Sequence, residues 1–462
     1  MRSKVAGRGN VLWKDCEGKG RAKMLRGRHR EHRWALRALL SVFIFAFLFA
    51  AIPVSAHNQA ESANQAESTH QFTLEIYGNA NEDDTIDMRD VTYIKLVIFG
   101  KKPETEFCDA NYDGRVSMLD VVQTKLIIVG KEGELTIVDS ANRTVTIHKP
   151  AKRVVGVEAG ALRLIVYLRA TDRVVGVEDV EKQYPGARPY IIAHPELAEL
   201  PSIGPIHGGD DELILAQHPD VIFWTYTTAE KADERQEKTG IPVIALGYGD
   251  LAPEEDRKEY YSTLLLMSYV LDEEERAKEL IDYTEGLIQD LEERTLDVPE
   301  EDKPKVYVGG IGYRGAHGIL STKPFYPPFV FVNAENVAGE LGVSHAFIDK
   351  EQLIEWNPDI IFVDEGGISL VMEDLSDPVY QSISAVKNGE LYGILPYNWY
   401  THNYATTLAD AYYIGKVLYP ERFVDVDPVK KAEEIYEMHV GAPVYEQMAL
   451  EFGGFKKIEL EA

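Results

Sequence analysis

Apolar residues along this chain follow two rhythms. Short continuous runs bounded by turn residues occur at Val154–Val157, Val174–Val177, 221–224, 242–246, Lys305–Val308 and Leu391–Leu395. Runs of that length predict strands buried on both faces. Between Glu254 and Arg294 the rhythm changes. Leu264, Leu265, Leu271, Leu280, Ile281, Leu287, Ile288 and Leu291 recur at three and four positions, with no Gly or Pro between Pro253 and Gly286. That spacing predicts a lobe helix followed by a long rigid spine. Thr406–Leu418 and Val429–Glu451 predict two closing helices, and Leu135–Ile147 predicts a hairpin turning at Asp139-Ser-Ala-Asn142.

One frame occurs twice, 139 positions apart. Glu212 leads through Leu-Ile-Leu-Ala-Gln-His to Pro219-Asp220 and a buried run; Glu351 leads through Gln-Leu-Ile-Glu-Trp-Asn to Pro358-Asp359 and another. Each copy predicts an acid opening a short amphipathic helix, a proline that ends it, and a strand. The repeat implies an α/β chain of two Rossmann-like lobes joined by a long rigid helix, with a site in the cleft between them. The expected divisions are a first lobe over 132–272, a connecting helix over 273–302 and a second lobe over 303–455.

The N-terminus changes the picture at that end. Residues 1–37 carry 12 Lys/Arg against three acids, and an apolar run from Ala38 to Val54 ends at Ser55-Ala56. This predicts a secretory signal over 1–56, cleaved after Ala56 or retained as an anchor. Residues 57–71 repeat Asn-Gln-Ala-Glu-Ser and predict a polar linker. Loss of 1–56 leaves 36 basic against 73 acidic residues, a formal charge of −37. That surface repels nucleic acid and anionic membranes. Of two cysteines, Cys16 falls in the signal, so Cys108 is left alone and no internal disulfide is expected; no lipobox cysteine follows the apolar run.

A second repeat, at 30 positions, opens the mature chain. Oxygen-bearing residues fall at positions 1, 3, 5, 9 and 12 of two loops: Asn79, Asn81, Asp83, Asp87 and Asp90, then Asp109, Asn111, Asp113, Ser117 and Asp120. Thr85 and Arg115, at position 7, would give main-chain carbonyls. Each loop feeds an apolar helix, so 72–131 predicts a small α-helical module of paired EF-hand-like loops with two calcium sites. The pair resembles a type I dockerin, which implies a cohesin-bearing surface protein as partner. Two positions depart from that pattern: Asp84 stands where Gly is usual, and Asn79 replaces the first Asp. Positions 10 and 11 are Met88-Arg89 and Met118-Leu119, which leaves the cohesin unspecified.

Residues 134–455 resemble the periplasmic binding proteins of iron–siderophore, heme and cobalamin importers. Lys152-Arg-Val-Val-Gly156, Asp172-Arg-Val-Val-Gly-Val177, Gly204 and the two Glu…Pro-Asp frames carry the resemblance. It implies binding without catalysis, an ABC permease as partner, and Glu212 and Glu351 as the pair that docks on it. Ligand groups are expected from loops after strand ends: Glu158, His207, Trp224, Tyr226 and Tyr248 in the first lobe, and Arg314, His317, Tyr326, Tyr397, Trp399, Tyr400 and His402 in the second. Aromatics and a guanidinium suit a large metal chelate. Each histidine is either a metal ligand or a hydrogen-bonding loop residue. The expected cargo is a small-molecule chelate, ferric siderophore first, with cobalamin or heme as alternatives. A cell-surface assembly protein that uses only its dockerin is a rival reading. Gly310-Ile-Gly312-Tyr-Arg-Gly315 matches a dinucleotide fingerprint, but the residues up to Pro324 break any following helix.

Overall fold

The computed structural model describes residues 72–183 and 186–460. The expected signal and linker lie outside the described residues. Among the described residues no helix is long and apolar enough to cross a membrane.

Each acid-rich loop feeds an 11-residue helix, α1 (Met88–Ile98) and α2 (Met118–Ile128). Asp87 caps α1 by accepting the Arg89 N–H, while Asp90 accepts the Asp87 N–H; Ser117 and Asp120 repeat this at α2. Ala80, Val91, Ile94, Cys108 and Val121 make the module's own small core. So small a core stabilises a fold weakly, and the module leans on its neighbour. The hairpin appears as β1 (Glu134–Val138) and β2 (Thr144–His148). Residues 75–77 lie along β1: Tyr77 donates to the Thr136 carbonyl (2.9 Å) and Val138 to the Glu75 carbonyl (2.8 Å). Leu74, Ile76, Ile86 and Ile127 join the large core that holds Leu135, Ile137 and Tyr269. Each such side chain contributes roughly 2 kcal/mol relative to exposure. The expected boundary at 131/132 therefore crosses a continuous core.

The first lobe runs β3 (Val154–Val157), α3 (Ala161–Tyr167), β4 (Val174–Gly176), α4 (Asp211–Ala216), β5 (Val221–Thr225), α5 (Ala229–Thr239) and β6 (Val243–Leu246). Its sheet is parallel, in the order β4–β3–β5–β6. Helices α6 (Glu254–Leu271) and α7 (Glu274–Thr295) follow, broken by Asp272 in the left-handed region. The second lobe runs β7 (Lys305–Gly309), β8 (Glu335–Asn336), α8 (Lys350–Trp356), β9 (Ile360–Asp364) and β10 (Leu391–Ile394). Then come α9 (Tyr404–Leu418), α10 (Pro428–Val440), α11 (Tyr445–Phe452) and the edge strand β11 (Lys456–Lys457). The sheet order is β11–β10–β9–β7–β8, parallel except for β11.

The repeated Pro-Asp has a physical reason. Asp220 accepts the N–H groups of Lys152 and Arg153 at the start of β3 (2.8 and 2.9 Å), and Asp359 accepts that of Lys305 at the start of β7 (3.0 Å). One expectation needs correcting. The second closing helix is two helices, because Gly441 turns left-handed (φ 88°) at the end of α10. The frame glutamates lie in the first turns of α4 and α8 as expected, with Asp210 and Asp349 capping them two residues earlier.

Candidate functional site

The cleft is built from segments that follow the C-terminal ends of β3, β4, β5, β6 and β10. Five non-glycine residues there adopt the left-handed region: Glu158 (φ 73°), His207 (68°), Tyr226 (51°), Tyr400 (52°) and Thr401 (61°). Each costs roughly 1–3 kcal/mol and persists only where the surroundings hold it, a pattern that marks functional sites. Glu158 leads into Gly160 (φ 94°), which opens α3. A Cβ on Gly160 would overlap the Tyr248 ring, so glycine is what lets that ring lie against the helix start.

Glu178 is the hub on the first lobe. Its carboxylate accepts the N–H groups of Gly208 (2.9 Å) and Glu158 (3.1 Å) and the Tyr400 hydroxyl (2.6 Å). Burial pushes the Glu178 carboxyl up, against the pull of those donors. His207 hydrogen-bonds Glu158 through Nδ1 and lies 5.9 Å from the Tyr400 ring. Tyr226 and Tyr248 are both pushed up to about 12 by burial, so they stay protonated donors at neutral pH.

Residues 397–404 cross from β10 to the first lobe as a strap. Asn398 and His402 form an antiparallel bridge around a three-residue loop, 399–401, in which Tyr400 and Thr401 are left-handed, a conformation that favours Asn or Gly. The Thr401 hydroxyl meets that of Tyr226 (2.7 Å). Arg163, fully buried on α3, donates to the carbonyls of Trp399 (3.2 Å), Tyr400 (3.0 Å), Thr401 (3.4 Å) and His402 (2.9 Å), and to the Tyr248 hydroxyl. His402 meets the Gly249 carbonyl (3.2 Å), and Lys323 pairs with buried Asp250 (3.0 Å), both across the lobes.

Of the expected ligand residues, the structure gathers Glu158, His207, Tyr226, Tyr248, Tyr400 and His402. Four expectations are corrected. Trp224 sits in the first lobe's core with Arg235 over its ring at 4.0 Å. Tyr326 is fully buried, 5.0 Å from Phe329 and 5.4 Å from Tyr397, and Tyr397 is buried with it. Trp399 packs on Phe452 of α11 (5.6 Å). Arg314 and His317 lie in a separate second-lobe cluster: the Tyr313 ring stacks on His345 (4.4 Å) and the His317 ring meets Phe347 (4.8 Å). Burial, then His317 and Lys323, push His345 down to about 4. This cluster joins the strap where Asn398 donates to the Gly312 carbonyl (2.6 Å). Sequence reasoning missed Arg163, Thr401, Lys323, Asp250, His345 and Phe347.

Glu212 and Glu351 are exposed on α4 and α8, and among the described residues neither enters an ion pair. In the module, Asn79 is fully buried and its Oδ1 has no hydrogen-bond partner. Asn81 donates to Asp83 (2.7 Å) and Asn111 to Asp113 (3.1 Å), while Asp120 accepts the N–H groups of Asn111 and Ser117.

With two α/β lobes, a joining helix and an interlobe cleft in place, comparison with known proteins defines the class. The chain belongs to the periplasmic binding protein family, whose model matches residues 154–397. It is 27% identical over 318 residues to the molybdate-binding protein MolA of Haemophilus influenzae, covering 65% of this chain and 89% of that protein. The structure of molybdate-bound MolA superposes with a TM-score of 0.56 at 25% identity, over 67% of this chain and 98% of that one. A periplasmic solute-binding protein from Veillonella parvula superposes with a TM-score of 0.55 at 20% identity, over 69% and 96%. These matches concern the lobes.

Proposed function

We propose that the protein is the solute-binding component of an ABC importer and that its cleft captures a compact metal-centred anion of the molybdate type. The observation that carries this is the convergence of five left-handed residues on a compact cleft edged by the hydroxyls of Tyr226 and Thr401, which meet at 2.7 Å. Hydroxyl donors recognise oxyanions by direct hydrogen bonds. The strap occupies the cleft, and Tyr226 already touches Thr401 across it, which favours a small cargo. The molybdate-binding relative supports the same size and charge. The ferric siderophore reading leaned on Trp224, Tyr326 and Tyr397, which lie inside the lobes. One feature keeps it as a second reading. The second-lobe rim exposes Tyr313 (44%) and Phe347 (58%) beside Arg314, a surface suited to a flat chelate. Heme and cobalamin share that reading. Glu212 and Glu351 would dock the permease through its cationic side chains.

The module's proposed role is attachment. Its loops carry hard oxygen donors of the kind calcium takes, and the unpartnered Oδ1 of Asn79 fits a cation. Asn79, Asn81, Asp83, the Thr85 carbonyl, Asp87 and Asp90 would hold one ion. Asp109, Asn111, Asp113, the Arg115 carbonyl, Ser117 and Asp120 would hold the other. Among the described residues no three His, Cys, Asp or Glu side chains converge as a preformed cage; amides and carbonyls supply part of each set. Exposed Met88, Met118, Leu119 and Val122 offer an apolar face to a cohesin-bearing surface protein. The deciding experiment titrates the full chain with molybdate, ferric siderophores, heme and cobalamin while following tryptophan fluorescence. Saturable binding of molybdate alone supports the first reading; a response confined to ferric siderophores replaces it with the second.

A further inference from the structure

We infer that Arg163 is the positioning residue of the cleft: it holds the strap turn in its left-handed form and so places Tyr400 and Thr401. The inference rests on the proposal that the cleft binds cargo, but its geometry stands alone. Helix α3 reads Ala-Leu-Arg-Leu-Ile-Val-Tyr, and all seven residues are buried. A charge in such a segment is kept only where something compensates it. Among the described residues no carboxylate hydrogen-bonds this guanidinium; its Nε has no partner, while Nη1 and Nη2 take the carbonyls of 399–402. The Tyr190 and Tyr248 rings lie 5.0 and 5.9 Å from it. Four consecutive carbonyl dipoles therefore stand where a counter-ion would.

Their convergence is what the turn needs. A turn with Tyr400 (φ 52°) and Thr401 (φ 61°) both left-handed is strained by two side chains, one of them β-branched. A planar fork of five donors can gather carbonyls that a single ammonium cannot. Once the turn is fixed, the Tyr400 hydroxyl reaches Glu178 and the Thr401 hydroxyl reaches Tyr226. Arg163 belongs to the first lobe and the turn follows β10 of the second. One side chain of one lobe thus sets the cargo groups supplied by the other.

The test uses the full chain carrying Arg163→Lys, Arg163→Gln, or Arg163→Gln with Thr401→Gly. Amide exchange of 400–403 reads the turn without cargo, since the Asn403 N–H is bonded to the Tyr397 carbonyl (2.7 Å). Tenfold or faster exchange is expected in Arg163→Gln, an intermediate rate in Arg163→Lys, and recovery with Thr401→Gly, because glycine removes the left-handed strain. Molybdate affinity, read by fluorescence, should fall tenfold or more in Arg163→Gln and less in Arg163→Lys; Thr401→Gly is read by exchange alone, because it also removes the hydroxyl that meets Tyr226. Unchanged exchange in Arg163→Lys and Arg163→Gln overturns the inference, as does exchange that Thr401→Gly leaves fast. If Arg163→Gln does not fold, Arg163→Lys and Thr401→Gly in the natural background decide by exchange alone. If wild type binds no probe, the cargo proposal fails while the exchange result still decides this one.

Discussion

The two loops of the module share a frame and live in different surroundings. In the second loop, Asp109 accepts the N–H groups of Asp113 (3.1 Å) and Gly114 (2.7 Å) near solvent. In the first, Asn79 is fully buried and donates instead, to the carbonyls of Leu74 (2.7 Å) and Asp83 (2.6 Å). Ile86 of that loop also donates to the Tyr269 hydroxyl of α6 (3.1 Å). An aspartate at 79 would bring a charge against two carbonyls in a dry seam, which is costly. The first loop carries an amide and forms part of a wall; the second carries a carboxylate near solvent.

That contrast can be broken in four ways. Chelation of calcium from the full chain should raise exchange of the Tyr112–Asp120 amides by roughly 100-fold. The Tyr77 amide, bonded to Thr136, should stay protected; equal loosening of both would erase the difference between the loops. A buried acid that was kept, Glu365, gives the control. Burial pushes its carboxyl up to about 8 against the Gly454 N–H and Lys456. Its contribution to stability is whole below its unfolded value and is lost as pH rises through about 8. Unfolding free energy should therefore fall by on the order of a few kcal/mol between about pH 5 and pH 8, with melting temperature falling alongside it, and Glu365→Gln should flatten the slope. An unchanged slope would show that this carboxyl is not the source.

The remaining two tests act on the seam. Asn79→Asp should cost about 2 kcal/mol in calcium-free melting, with recovery on adding calcium. Destabilisation that calcium does not reverse would mean the loop holds no ion. Tyr269→Phe removes only the hydroxyl that holds the Ile86 N–H, for about 1 kcal/mol. Exchange at Ile86 should quicken while that at Ser117 does not; parallel changes would refute a seam specific to the first loop.

Much of the fold was legible because its signals are local. The strands at 154, 221, 305 and 391 are apolar runs closed by turn residues, and the Pro-Asp frame is a short device that caps the start of the neighbouring, earlier strand. The closing helix was misjudged although Gly441 and Pro443 stand in it as stop signals. The site was less legible. An aromatic just after a strand reads the same whether it turns to the cleft, as Tyr226 does, or inward, as Trp224 and Tyr326 do. Arg163 carried one weak signal, a lone charge in an apolar heptapeptide. Apart from the Tyr248 hydroxyl, its partners are more than two hundred residues away and are main-chain oxygens, which no side-chain pattern shows. Phe347 reaches His317 only because 346–347 pairs with 321–322 in a two-residue ladder.

The seam along β1 also bears on how such a chain is inherited. A cassette that recombination could splice onto any receptor would end where its own core ends. Here the first residues of the module, Leu74 and Ile76, share a core with Leu135, Ile137 and Tyr269 of the lobe. A crossover near Gly133 would leave both halves with a raw apolar edge, so neither half can be exchanged without redesign of the seam.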